Sequence, residues 1–258
     1  MKKTLFIALP ALLLGFAAQA QTITAFNPGD NSNLGDVANW SAGLPLTAQN
    51  RQGTIATNAT LDLNPVSGWN VVQTAGTVTL PGNRQINEQT TWNLQGGAII
   101  VSGATAQWNT TANNGYTFNM SGGTFTAHRM NAYDGTVLNL SGGTITVDRA
   151  IFQGVQLTFL AGDASIVANT ELVTSATTVI NFVSSSGGTL TATNLGLVDY
   201  EALWNSERLR FDGGNVGAFS DHFTVTGNTL AVIPEPSTYA AIFGLMVLGL
   251  AAWRRRKA

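Results

Sequence analysis

Through the middle of the chain, apolar and polar residues alternate in short runs separated by glycine. Leu138-Asn139-Leu140 precedes the pair Gly142-Gly143, and Thr144-Ile145-Thr146-Val147 follows it. A period of two sends successive side chains to opposite faces of a β-strand, and a glycine pair between two such runs marks a turn or bulge that would strain a side chain. The arrangement recurs as WNLQGGAII (92–100), FNMSGGTFT (118–126), LNLSGGTIT (138–146) and FLAGDASIV (159–167). Looser copies are VQTAGTVTL (72–80), SSSGGTLTA (184–192) and RQGTIATNA (51–59). With Gly53, Gly76, Gly97, Gly123, Gly143, Asp163 and Gly188 taken as equivalent, the steps are 23, 21, 26, 20, 20 and 25 residues.

Steps of this size belong to solenoids, propellers or arrays. A propeller blade needs about twice the length, and leucine-rich repeats would show helical stretches that the sequence lacks. One coil of three short strands fits both the step and the period of two. The expected fold is therefore all-β: a single-stranded, right-handed parallel β-helix of about seven coils, rising ~4.8 Å per coil. Asn93, Asn119 and Asn139 hold one shared place and are expected to form an amide ladder between coils. Phe125, Ile145 and Ile166 hold another and are expected to line the core. These repeats loosely resemble those of autotransporter passenger domains and other secreted β-helices. In that resemblance Asn39-Trp40-Ser41 looks like the segment that caps the first coil and shields its open edge.

Both ends of the chain read as addresses. Residues 1–20 combine the basic Lys2 and Lys3, an apolar run from Leu5 to Ala18, and the small-x-small site Ala18-Gln19-Ala20. That three-part pattern predicts a signal peptide cleaved before Gln21 by signal peptidase, after passage through the export machinery. At the other end, Pro234-Glu235-Pro236 precedes an uncharged apolar stretch over 238–253, and Arg254, Arg255, Arg256 and Lys257 follow. As a helix that stretch spans roughly 24 Å, short of a ~30 Å hydrocarbon core, with Trp253 and the arginines reaching the interface. The basic cluster is expected to stay cytoplasmic, leaving the body outside the inner membrane. The expected division is a signal peptide at 1–20, a cap region at 21–50 and repeats at 51–215. Closing strands follow at 216–233 and the tail at 234–258.

Proline-glutamate-proline, an apolar helix and a terminal arginine cluster, in that order, resemble the PEP-CTERM sorting signal of Gram-negative bacteria. The resemblance covers about a tenth of the chain. It implies recognition by a transpeptidase-like exosortase in the membrane, which removes the tail and passes the protein to the cell surface or extracellular matrix. It also implies an association with exopolysaccharide. It makes the chain a substrate of the sorting chemistry and not its catalyst.

Composition agrees with an exported β protein. Apolar residues make up 44% of the chain and charged residues 10%, well below the ~25% usual for soluble domains. From Gln21 to Ile233 there are six arginines and no lysine against thirteen carboxylates, a net charge of −7. Such a body lacks the clustered cations that bind nucleic acid. Cysteine is absent, which excludes disulfides and thiolate metal sites.

Candidate chemistry is sparse. His128 and Asp148 each lie five residues after the second glycine of a pair, and Arg129 and Arg149 follow them. Stacked on adjacent coils, these four residues form either a small acid/base or anion-binding cluster or a surface charge ladder, and the ladder is the simpler account. Asp30-Asn31-Ser32-Asn33-Leu34-Gly35 places leucine where a Ca²⁺ loop needs oxygen, so no metal is expected. No nucleophile, phosphate-loop or zinc motif occurs, and no cofactor is expected. The leading expectation is a non-catalytic structural or adhesive surface protein. The alternative is a polysaccharide lyase or glycosidase on the same scaffold.

Overall fold

The computed structural model describes residues 20–28, 32–63, 66–86, 89–110 and 115–233. The expected signal-peptide core and the C-terminal tail lie outside these residues. The body is an all-β solenoid of roughly six turns. Three strand-lined faces run along it, because each coil returns over the one before with its strands parallel and in register.

The first face stacks Arg51–Ile55, Asn70–Gln73, Thr91–Leu94 and the opening halves of Thr117–Ala132 and Val137–Phe152. Gln156–Phe159, Val179–Phe182 and Leu209–Phe211 continue it. Alternation does the work here. Val71, Trp92, Phe118, Leu138, Leu157, Ile180 and Leu209 occupy one register column and are all buried. The second face carries the core column Ala59, Val78, Ile99, Phe125, Ile145, Ile166 and Leu190. Phe125, Ile145 and Ile166 are thus at one level of the core, as their spacing implied. On the third face, Met130, Ala150 and Leu172 stack in the same way. Burying a side chain of this size contributes about 1.5–3 kcal/mol, and repeating it coil after coil sustains the solenoid.

Between the first and second faces the glycine pairs stack on one another. Gly76, Gly97, Gly123 and Gly143 all have φ between 74° and 81°. The register corrects two of the equivalences drawn from spacing. Thr144 lies opposite Ser165, so Ala164 and not Asp163 stands where Gly143 stands one coil earlier. Gly53 lies opposite Val71 inside the first face and is not a turn residue. A Cβ on Gly53 would sit 2.6 Å from Cζ3 of Trp40, so this glycine leaves room for the cap. The solenoid has roughly six turns, against the expected seven.

The ends are closed by different means. At the N-terminal end, the strand Thr22–Ala25 pairs with Arg51–Ile55, and the segment around Trp40 folds over its outer side. Trp40 is buried against Phe26 and Trp69, with ring centroids 5.3 and 6.1 Å away. Its Nε1 donates to the Leu34 carbonyl at 2.8 Å, and Ser41 Oγ accepts from the Ala25 amide at 2.9 Å. Leu34 is fully buried. At the C-terminal end, the direction reverses. Phe223–Thr226 and Thr229–Val232 form a hairpin whose second strand runs antiparallel to Thr189–Ala192. Helix α1 (Leu197–Asn205) and helix α2 (Phe219–His222) lie beside it. Tyr200 of α1 donates to the Leu190 and Asn228 carbonyls, both at 3.1 Å. Among the described residues, no helix is long and apolar enough to cross a membrane. The expected transmembrane helix at 238–253 lies outside them.

Candidate functional site

The turn between the second and third faces carries the ionisable residues singled out by spacing. Ala127 pairs with Val147 and Arg129 with Arg149, which brings His128 over Asp148. His128 Nδ1 and Asp148 Oδ2 are 2.8 Å apart. One coil further the register slips, so that Asn169 and Thr170 stand against the single residue Asp148. Asn169 donates to Asp148 Oδ1 at 3.4 Å, and Thr170 Oγ1 donates to the Asp148 carbonyl at 2.5 Å. The hydrogen bond from His128, and after it that from Asn169, holds the Asp148 carboxyl below the ordinary carboxylate range. Asp148 remains about half exposed, so this is a solvated pair and not a buried charge site.

The two arginines do not join that pair. Arg149 turns to its register partner on the next coil, Glu171, with Nε 2.6 Å from Oε2. Arg129 stacks between Gln107 and Arg149. Glu171, Asn169 and Thr170 went unnoticed in the sequence. Glu171 follows Arg149 by 22 residues, within the range of the repeat, and that spacing was the available signal. A groove of about 280 Å³ runs beside the pair, lined by Val101, Gly103, Thr126 and Thr146 together with His128 and Asp148. Among the described residues no group of three His, Asp or Glu converges as a metal site.

The amide ladder is a second organised feature. Asn139 Nδ2 donates to Asn119 Oδ1 at 2.9 Å, Asn119 Nδ2 to Asn93 Oδ1 at 2.7 Å, and Asn93 Nδ2 to the Val71 carbonyl at 3.3 Å. Each amide donates to the preceding coil, and Asn119 and Asn93 also accept from the following one, so the hydrogen bonds run in one direction along the first face.

The remaining predicted positions lie at the ends of the body. Ala20 and Gln21 are exposed just before the first strand, and Ala18 lies outside the described residues. Pro234, Glu235 and Pro236 lie outside them too, as do Arg254, Arg255, Arg256 and Lys257. The residue before that segment is firmly placed: Ile233 donates its amide to the His222 carbonyl at 2.8 Å. His222 stacks on Phe211 with centroids 4.4 Å apart, and its Nε2 lies 2.7 Å from the Val216 carbonyl. The sorting segment therefore begins directly at the C-terminal cap.

The family model for the PEP-CTERM protein-sorting motif matches residues 232–257. No curated protein and no solved structure matches the chain. The motif marks an exported protein that is processed by an exosortase-type system and reaches the cell surface.

Proposed function

We propose, with the PEP-CTERM protein-sorting motif as premise, that this protein is a non-catalytic structural component of the surface or matrix of a Gram-negative bacterium. A signal peptide ending at Ala20 directs export, and an apolar helix over 238–253 holds the precursor in the inner membrane until an exosortase removes it. The released body, a right-handed solenoid, serves as a rigid spacer or adhesive element within exopolysaccharide. The match over 232–257 carries this reading. It is supported by a capped, disulfide-free β body whose backbone is committed to inter-coil hydrogen bonds, a construction that resists proteolysis.

The test replaces Pro234, Glu235 and Pro236 with alanine in a host that carries the exosortase. The apolar stretch is untouched, so the protein still inserts, but processing stops and the full-length form accumulates in the inner membrane. Fractionation with mass analysis of the C-terminus reads this. Processing and location identical to the parent would reduce the segment to a simple tail anchor and overturn the proposal.

A further inference from the structure

The first face carries an outward column of uncharged polar side chains and, at its edge, a second row that is mostly polar. The column is the ladder Asn93, Asn119 and Asn139. The row is formed by the residues that follow the core column Leu94, Met120, Leu140 and Phe159 by one position in sequence, Gln95, Ser121, Ser141 and the apolar Leu160. The register shifts at Ser121, which stands opposite Gly142. Between them lies a groove of about 320 Å³, lined by those polar residues with Met120 and Leu160. No charged side chain contributes to it.

We infer that this groove binds an uncharged, extended polysaccharide laid along the solenoid axis. Each ladder amide spends one N–H on the preceding coil, and Asn93 and Asn119 each also spend one lone pair, leaving on every amide a second N–H and acceptor capacity for a ligand. The side chains of Gln95, Ser121 and Ser141 form no hydrogen bond within the described residues, although each carries both donor and acceptor capacity. Folding therefore does not consume the polar capacity of this groove. Vicinal sugar hydroxyls need that mixture of donors and acceptors, and a sugar C–H face needs the apolar side chain that Leu160, 39% exposed, presents at one end. The groups repeat every ~4.8 Å, close to the length of one sugar unit in an extended chain, so successive coils meet successive sugars.

Charge decides between neutral and acidic polymers. The groove offers no cation, and the body from Gln21 to Ile233 carries a net −7, so an acidic chain is repelled while a neutral one is not.

This inference names the ligand for the matrix role proposed above and rests on it. The two fail separately, since fractionation reads sorting and a binding assay reads the groove. The assay is affinity electrophoresis of the exported protein, purified in detergent with its C-terminal segment, through gels containing hydroxyethylcellulose, galactomannan, dextran or alginate. Retardation by at least one neutral polymer and none by alginate is expected. Combining Gln95→Ala, Ser121→Ala and Ser141→Ala should weaken binding about tenfold or more, the worth of one to three net hydrogen bonds, with an unchanged thermal midpoint. Leu160→Glu, at an exposed site outside the core, should weaken it as well. Absence of retardation by all three neutral polymers, retention of binding in both variants, or preference for alginate would overturn the inference.

Discussion

Gly123 stands directly over the carbonyl of Gly97: a Cβ built on Gly123 would lie 2.5 Å from that oxygen. Gly143 stands in the same relation to Gly123, at 2.6 Å. Each glycine also has φ near +80°, so two independent constraints exclude a side chain. The glycine column is what allows successive coils to close to strand spacing at this turn.

Gly123→Ala should therefore cost about 2–4 kcal/mol, because strain in the left-handed region adds to a clash with backbone that cannot move aside. Gly82→Ala is the control. Its φ is +70°, but nothing lies within 4 Å of its Cβ position, so only the conformational cost of about 1–2 kcal/mol applies. Urea denaturation of both variants measures the difference. Equal losses would show that the contact with Gly97 carries no weight.

Trp40→Ala should cost about 3–5 kcal/mol, through a cavity next to Phe26 and Trp69 and loss of the bond to the Leu34 carbonyl. The damage should be local at first. Hydrogen exchange is expected to rise at Thr22–Ala25 and Arg51–Ile55 while the coils around Phe125 and Ile145 stay protected. Uniform loss of protection would show that the cap and the distant coils melt as one unit.

The Asp148 carboxyl is held below its ordinary value, so its contribution to stability is present above the usual carboxylate pKa of about 3.9. That contribution is lost as the pH falls through the lowered folded-state value. Asp148→Asn should lower the thermal midpoint near neutral pH, and parent and variant should converge in acid once the folded-state carboxyl is protonated. Thermal scans across that range test the sign. A gap that persists or widens in acid would exclude the His128–Asp148 bond as its source.

Much of the body could be read from the residues because stacked parallel strands repeat the same demand in every coil. Where the step is a constant 20 residues, from Gly123 to Gly143, position in the repeat translates directly into position in space. That is why the amide ladder at Asn119 and Asn139, the core pair Phe125 and Ile145, and the pairing of His128 with Asp148 all follow from counting. The sorting motif was legible for another reason. It is recognised as a linear segment, without a fold.

Counting stops where residues are inserted at a turn. Two residues, Asn169 and Thr170, stand against the one residue Asp148, and only the folded register reveals that they donate to it and that Glu171 then meets Arg149. Gly53 carries the same amino acid as the turn glycines, yet it faces the core beneath Trp40, a role set by a residue 13 positions away. The closing hairpin is a third case. Thr229–Val232 alternates like any other strand, but the tight turn at Gly227 sends it back antiparallel onto Thr189–Ala192. Sequence alone determined the strand period, the coil repeat and the address at the C-terminal end, because each is a property of neighbouring residues. The tertiary structure decided register, closure and the polar groove, because these depend on which residues meet across a coil step, and a single inserted residue changes every meeting that follows.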